Sequence, residues 1–396
     1  MSSVFTLPPL LFMTFREMYN ISFTLLGTLV LVNFCTQFII DIIFTLFSKH
    51  FNVKLVVRIM PLLTSLGLAV YAVFPALFPD YAYTGLLIGT VIFSVAAGLA
   101  EVLVSPLVAA IPSDNPDRDM SLLHSLYAWG VVIVVLISTI YIKLFGAHNW
   151  MYLTLFLAVF PLIASVLYFV SPIPELDVSS HGADTDSSKR RFIGLGMCFC
   201  CIFIGASAEN VMTNWISGYI ESTLGISKIY GDIFGMALFA LLLAFGRILY
   251  AKIGKNISRV LLLGMLGSAV LYLTAALSAN IYVALIACGL VGFSTSMLWP
   301  GTLIFMEENI PSPGVAAYAL MAAGGDFGSS ISPQLMGIIV DTVSASGFAQ
   351  SLSSTLMISP EQLGMKVGML ITSIFPILGV ILVIIMRKYF SAKKIS

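Results

Sequence analysis

PIPELDVSSHGADTDSSKRR, Pro172 to Arg191, is the one long polar stretch in a chain otherwise built of apolar runs. Ser and Asp crowd its middle and three bases close it, a composition that stays in water. Outward from it in both directions the sequence turns apolar. Of the 396 residues 59% are apolar and 10% charged, against about 45–50% and about 25% in an ordinary soluble domain. A span of the hydrocarbon core takes roughly 20 apolar residues as helix, because a helix satisfies its own backbone where water is absent. Runs of that length recur near 21–47, 55–77, 82–111, 120–146, 149–170, 192–219, 231–252, 259–278, 281–306, 314–341 and 365–387. The expected fold is therefore all-α and polytopic, with eleven full helices. The polar stretch, 171–191, joins an N-terminal bundle (1–170) to a C-terminal bundle (192–396) that ends in a short basic tail.

Ahead of these runs stands VFTLPPLLFMTF, Val4 to Phe15, about 12 residues and so about 18 Å of helix against a core of about 30 Å. It is expected not to cross alone, and reads as a partial helix 1 whose inner half is missing. No Lys or Arg precedes it and no small-residue cleavage site follows it, which argues against a signal peptide. Orientation follows from the bases, since Lys and Arg loops stay inside. Fifteen lie on the side that carries Lys49, Lys54, Arg58, Arg118, Lys189 to Arg191 and Lys393; Arg16, Lys143, Lys228 and Lys366 lie on the other. That places the central loop and the C-terminus in the cytoplasm of an inner-membrane protein, with Arg16 to Asn20 outside.

The formal net charge is zero, which leaves no electrostatic case for nucleic acid. Cys35, Cys198, Cys200, Cys201 and Cys288 all fall inside predicted helices, where thiols act as small apolar residues rather than metal ligands or a disulfide framework. No enzyme active site, cofactor or resident metal is expected, and the chain is read as a monomer in the bilayer.

An internal repeat supports the division into halves. GLAEVLVSP, Gly98 to Pro106, and GFSTSMLWP, Gly292 to Pro300, share first Gly and last Pro at equal spacing, and the same offset relates Gly130 to Gly324. Predicted helices 4 and 10, and 5 and 11, thereby correspond. The expected arrangement is six plus six, with a solute bound between the halves near the midplane.

A charge at the membrane centre costs at least about 2.5 kcal/mol, so each one is a functional candidate. Four acids qualify: Asp41, Glu101, Glu209 and Asp326; Arg247 is the one base well inside a helix. Recognition of carboxylate or phosphate calls for Arg or Lys, which the helix centres lack, so an anionic solute is disfavoured. Carboxyls without a counter-cation favour the protonated form where water is excluded, and can take up and release H⁺ or bind Na⁺. Asn33, Gln37 and Asp41 form an i, i+4, i+8 stripe that must face protein or water. For Asn33 and Gln37 a cavity wall and interhelical hydrogen bonding weigh evenly, while Asp41, near a loop, reads as structural. Ser207, Asn210 and Asn214 share a face beside Glu209 and Trp215; His124, Tyr127 and Trp129 lie on helix 5, and Ser294, Thr295 and Trp299 on helix 10. Amides and aromatic faces suit a neutral polyol, although each Trp taken singly reads equally well as packing or interfacial. His124 reads as a loop-facing structural residue.

With these residues in place, the chain from Pro8 onward resembles the fucose permease branch of the major facilitator superfamily, the proton-coupled sugar symporters. AGLAEVLVSPLV, Ala97 to Val108, is similar to that branch's helix-4 pattern of an acid five residues before a Pro. The resemblance implies that Glu101 carries the proton; Asp326 and Glu209 are further coupling candidates as acids inside predicted helices. GASAENVMTNW, Gly205 to Trp215, resembles the helix that supplies amides to sugar, which implies Asn210 and Asn214 as contacts. GFSTSMLWP and GGDFGSSISPQLMG, Gly324 to Gly337, also resemble the branch. Asn33, Gln37, Trp215, Thr295, Trp299 and Gln334 complete the candidate solute contacts. Gly246, Arg247, Lys252 and Gly254 keep a loose form of the superfamily's gating signature, whereas SKHFNVK, Ser48 to Lys54, lacks its Gly and Asp. Asp41, Pro106 and Pro300 join Gly246, Arg247 and Lys252 as gating or structural candidates. The function expected is proton-coupled (or Na⁺-coupled) uptake of a neutral monosaccharide. An efflux carrier for lipophilic cations and a non-transporting paralogue are the rivals.

Overall fold

The computed structural model describes residues 2–47, 50–112, 116–174, 189–310 and 314–391, and all regular structure among them is helical. The chain forms two compact units, Met1–Ser180 and His181–Ser396. Most of the predicted polar linker lies outside the described residues.

In the first unit the helices are α1 (Ser2–Tyr19), α2 (Phe23–Phe47), α3 (Val53–Leu77), α4 (Ala82–Ala109), α5 (Pro116–Phe145) and α6 (Trp150–Val170). The first of these is longer than its apolar stretch predicts. Its 18 residues make about 27 Å of helix, because Ser2–Ser3 and Arg16–Tyr19 continue the turn at either end. Leu7, Leu10, Phe12 and Phe15 are fully buried, and the Phe15 ring meets Trp150 edge-on at 4.9 Å. Two helices approach closely where glycine removes the side chain: a Cβ on Gly89 would stand 2.6 Å from the Tyr71 backbone nitrogen, and one on Gly67 2.6 Å from that of Phe93. Such small-residue seams join α3 to α4, since lipid offers no hydrophobic drive for helices to associate.

The second unit holds α7 (Lys189–Leu224), a short α8 (Lys228–Gly231), a π-helical stretch Asp232–Ala237, α9 (Leu238–Ile253), α10 (Ile257–Leu277), α11 (Ile281–Thr295), α12 (Leu298–Asn309), α13 (Gly314–Ala345), α14 (Gly347–Leu356), α15 (Pro360–Thr372) and α16 (Ile374–Ser391). Three predicted helices are thus divided. The last begins earlier than expected because Ser359 and Gln362 form a capping box across Pro360, a residue that starts a helix well at its first position. A short helix that apolar run length does not predict, α14, folds back from α13 at 82°.

Among the described residues nine helices are long and apolar enough to cross a membrane, or ten if the bent α13–α14 pair counts as one span. Eleven are predicted; within α5 the described apolar stretch is the shorter Trp129–Phe145. Exposed Leu144, Leu263, Tyr282 and Ile381 are among the apolar side chains on the outer surface, a surface that only lipid accommodates. The protein is an all-α polytopic membrane protein, and its five cysteines are free thiols.

Candidate functional site

The first unit presents two acids on facing helices. Gly98 lets α4 lie on α2, for its Cβ would stand 3.1 Å from the Cα and carbonyl oxygen of Gln37. One turn further along α4, Glu101 stands opposite Asp41, and their carboxyl oxygens approach within 4.8 Å. Glu101 is exposed and Asp41 half-buried, and the Asp41 Oδ1 has no hydrogen-bond partner among the described residues. Two carboxyls at this spacing are accommodated by one proton or one cation. Asp41, read from sequence as a loop-side structural group, therefore sits beside the predicted carrier.

The rest of the α2 stripe turns inward. Gln37, 1% exposed, donates from Nε2 to the Asn33 Oδ1 at 3.0 Å, and Ser94 of α4 donates to the same oxygen at 2.6 Å. Asn33 is buried as well. Ser94 thus joins α4 to α2 through Asn33, whereas the Gln37 bonds stay within α2. Ser94 has no signature of its own, because one Ser in an apolar run carries no pattern. Side chains of Pro106 and His124 lie outside the described residues, while Trp129 is exposed.

In the second unit the amides line a seam between α7 and α13. Gly328 lets the two helices touch, since its Cβ would clash with the Phe203 carbonyl. Asn210 Nδ2 donates to Ser329 Oγ at 2.8 Å and Asn214 Nδ2 to the Asn210 carbonyl at 2.9 Å, while Ser332 Oγ reaches the Ser207 carbonyl at 3.2 Å. Trp215 is 1% exposed, and its Nε1 donates to the Pro333 carbonyl at 3.0 Å. Thr295 is buried and bonds back to Val291 in its own helix. The Trp299 ring lies against Gly325, where a Cβ would have no room. Gln334 differs from these: its Oε1 is buried with no partner among the described residues. Asp326, next to Gly325, is 4% exposed.

Pro300 explains the break between α11 and α12. Lacking an N–H, it leaves the Ser296 carbonyl without its i+4 donor. Arg247 supplies one, with Nε donating to that oxygen at 3.1 Å. The same guanidinium stands 3.7 Å from a Glu209 oxygen, whose other oxygen is buried without a described partner. Gly246 makes room, because a Cβ there would clash with the Ser296 side chain. Gly246, Arg247, Pro300 and Glu209, candidates on separate grounds, therefore meet at one point, while Lys252 lies exposed one turn beyond. A further acid is absent from the sequence-based candidates: Asp232, fully buried, accepts from Ser217 and stands 3.5 Å from Lys228. Its i, i+4 spacing from Lys228 is the signal that could have found it.

Residues 1–333 match the family model of the Major Facilitator Superfamily. The chain belongs to that superfamily. Solved transporter structures share its fold at low identity. A bacterial homolog of the human lysosomal transporter Spinster, inward-facing and occupied, is 12% identical with a TM-score of 0.74, over 99% of this chain and 94% of that one. A D-xylose-proton symporter is 16% identical with a TM-score of 0.72, over 95% and 96%. The Major Facilitator transporter FucP in its outward conformation is 16% identical with a TM-score of 0.57, over 96% of this chain and 97% of that one. No curated protein matches the chain significantly. As a Major Facilitator protein it is a transporter by fold, and its structural neighbours are named for several kinds of solute.

Proposed function

We propose that the chain is a cation-coupled importer of a neutral sugar, with H⁺ as the coupling ion and Glu101 as its carrier. The observation that carries this reading is the carboxyl pair Asp41–Glu101, within 4.8 Å on facing helices, where two acids can share one proton or one Na⁺. Loading that pair from one face of the membrane and emptying it to the other is the coupling step of alternating access.

Neutrality of the solute is supported by the fate of Arg247, held by Glu209 and by the Ser296 carbonyl and so not offered to an anion. Among the candidate contacts, the Gln334 oxygen suits a hydroxylated solute as an acceptor, and the partly buried Asn210 offers its amide oxygen, its nitrogen being bound to Ala206 and Ser329. Xylose-proton and fucose:proton symporters among the structural neighbours favour sugar, whereas a nucleoside transporter and a peptide transporter share the fold too. The same reading places the protein as a monomer in the inner membrane with its basic loops and C-terminus inside.

The deciding experiment is uptake of a panel of labelled monosaccharides into proteoliposomes with and without an imposed pH gradient. Accumulation that collapses with the gradient supports the proposal. Extrusion of lipophilic cations with no response to any sugar would refute it.

A further inference from the structure

Both hydrogens of the Asn210 amide nitrogen are committed within the second unit. Nδ2 donates to the carbonyl of Ala206, one turn back on α7, at 3.1 Å, and to the Ser329 hydroxyl of α13 at 2.8 Å. An amide NH2 has two hydrogens to give, so none is left. The bond to Ala206 uses the carbonyl's second lone pair, beside the one the helical N–H occupies. Ser329 is 1% exposed, and the contact of α7 with α13 at neighbouring Gly328, which leaves no room for a Cβ, holds it in place.

The amide cannot be reversed end for end. A carbonyl oxygen accepts and never donates, so turning Oδ1 towards Ala206 would set two acceptors against each other and lose both bonds. Oδ1 is therefore the atom that Asn210 has left to offer. It accepts no bond among the described residues, and Asn210 is only partly buried. Asn214, one turn further on, differs: its Nδ2 donates once, to the Asn210 carbonyl at 2.9 Å, which leaves a hydrogen as well as an oxygen. One face of α7 thus presents an acceptor at 210 and a two-way amide at 214, about 6 Å apart along the axis.

We infer that Asn210 imposes a donor requirement on the transported solute: the group that meets its oxygen must carry a hydrogen, as a hydroxyl or an amine does. An ether, a carbonyl or a halogen at that point sets lone pair against lone pair and leaves the amide oxygen desolvated without a partner, a loss of about three- to tenfold in affinity. The inference rests on the reading of the protein as a sugar carrier with Asn210 among its contacts. It narrows that reading to a sugar with a free hydroxyl, or an amino group, on the edge that Asn210 meets.

Isothermal titration calorimetry of the full chain in mild detergent tests the requirement, first with D-glucose, D-galactose and D-xylose. Deoxy, deoxyfluoro and amino-deoxy derivatives of a sugar that binds follow, one carbon at a time. Fluorine keeps the polarity of the bond and has no hydrogen to donate; a protonated amine has hydrogens and no lone pair. One position is expected at which the deoxy and fluoro derivatives both raise Kd about three- to tenfold while the amino derivative keeps the parent's affinity. Asn210→Leu should flatten that position, and Asn210→Asp, which keeps an acceptor, should go on rejecting fluorine there. Fluorine tolerated better than hydrogen at the position that Asn210→Leu flattens, or a penalty unchanged in that variant, would overturn the inference. Should the variants fail to fold, the derivatives on the unaltered chain decide, and the lack of any position that rejects fluorine and keeps the amine overturns it. A folded chain that binds none of the three parent sugars refutes the sugar reading itself, a result distinct from a parent that binds with the wrong pattern of derivatives.

Discussion

Arg247 donates to the carbonyl of Ser296 at 3.1 Å, an oxygen that Pro300 deprives of its helical donor. A break in a membrane helix exposes backbone groups that hydrocarbon cannot satisfy, and here a charged side chain from a neighbouring helix supplies the missing bond. The same side chain also faces Glu209, so backbone and carboxylate depend on one residue.

Removing that residue alone should therefore cost more than removing the pair. Arg247→Met leaves Glu209 without its cation and is expected to lower the melting temperature in detergent. Arg247→Met combined with Glu209→Met should recover part of the loss, with a coupling energy of about 1 kcal/mol, given that Arg247 is partly exposed. Additive losses would mean that the 3.7 Å approach contributes nothing.

Gly246 is expected to tolerate no side chain. Gly246→Leu must push α9 away from the Ser296 region, a cost of about 1–3 kcal/mol for overpacking, visible as a lower melting temperature and reduced uptake. Gly196, whose Cβ would meet nothing within 4 Å, provides the control: Gly196→Leu should leave both measurements near their original values.

For the acid pair, Glu101→Gln should abolish accumulation against a gradient while sugar exchange across the membrane continues. Asp41→Asn tests the partner. If the pair holds the coupling ion jointly, this variant also loses accumulation; accumulation at the original level would leave Glu101 acting alone. Counterflow and gradient-driven uptake in the same vesicles separate the two outcomes.

Structural and solute-contacting amides should part company in a paired comparison. Asn33→Leu breaks the bonds to Gln37 and Ser94 and should lower stability by about 0.6–1.7 kcal/mol per bond with an unchanged apparent affinity for sugar. Gln334→Leu removes an oxygen that has no partner among the described residues; it should leave the melting temperature nearly unaltered and raise the KM for uptake.

Trp215→Phe loses the Nε1 bond to the Pro333 carbonyl. A modest fall in stability with unchanged KM is the outcome its burial predicts, and a several-fold rise in KM would place the ring in the solute path instead.

Composition and run length alone determined that this chain is helical and lives in a bilayer, because an apolar segment of about 20 residues has no other way to satisfy its backbone. The long polar interruption and the Gly–Pro repeat marked where it divides. Which polar residues meet lay beyond the sequence. Asn33 and Gln37 could face a cavity or a neighbour with the same spacing, and the bond from Ser94 of α4 to Asn33 is visible only in the packed structure. Asp41 and Glu101 are 60 positions apart, and the contact between them depends on Gly98 allowing α4 against α2. Periodicity reports which face of a helix is polar, whereas the partner of that face is set by how the helices cross. Arg247, Pro300 and Glu209 carry the same lesson: each was legible as unusual in its own helix, and tertiary packing alone joined them into one site.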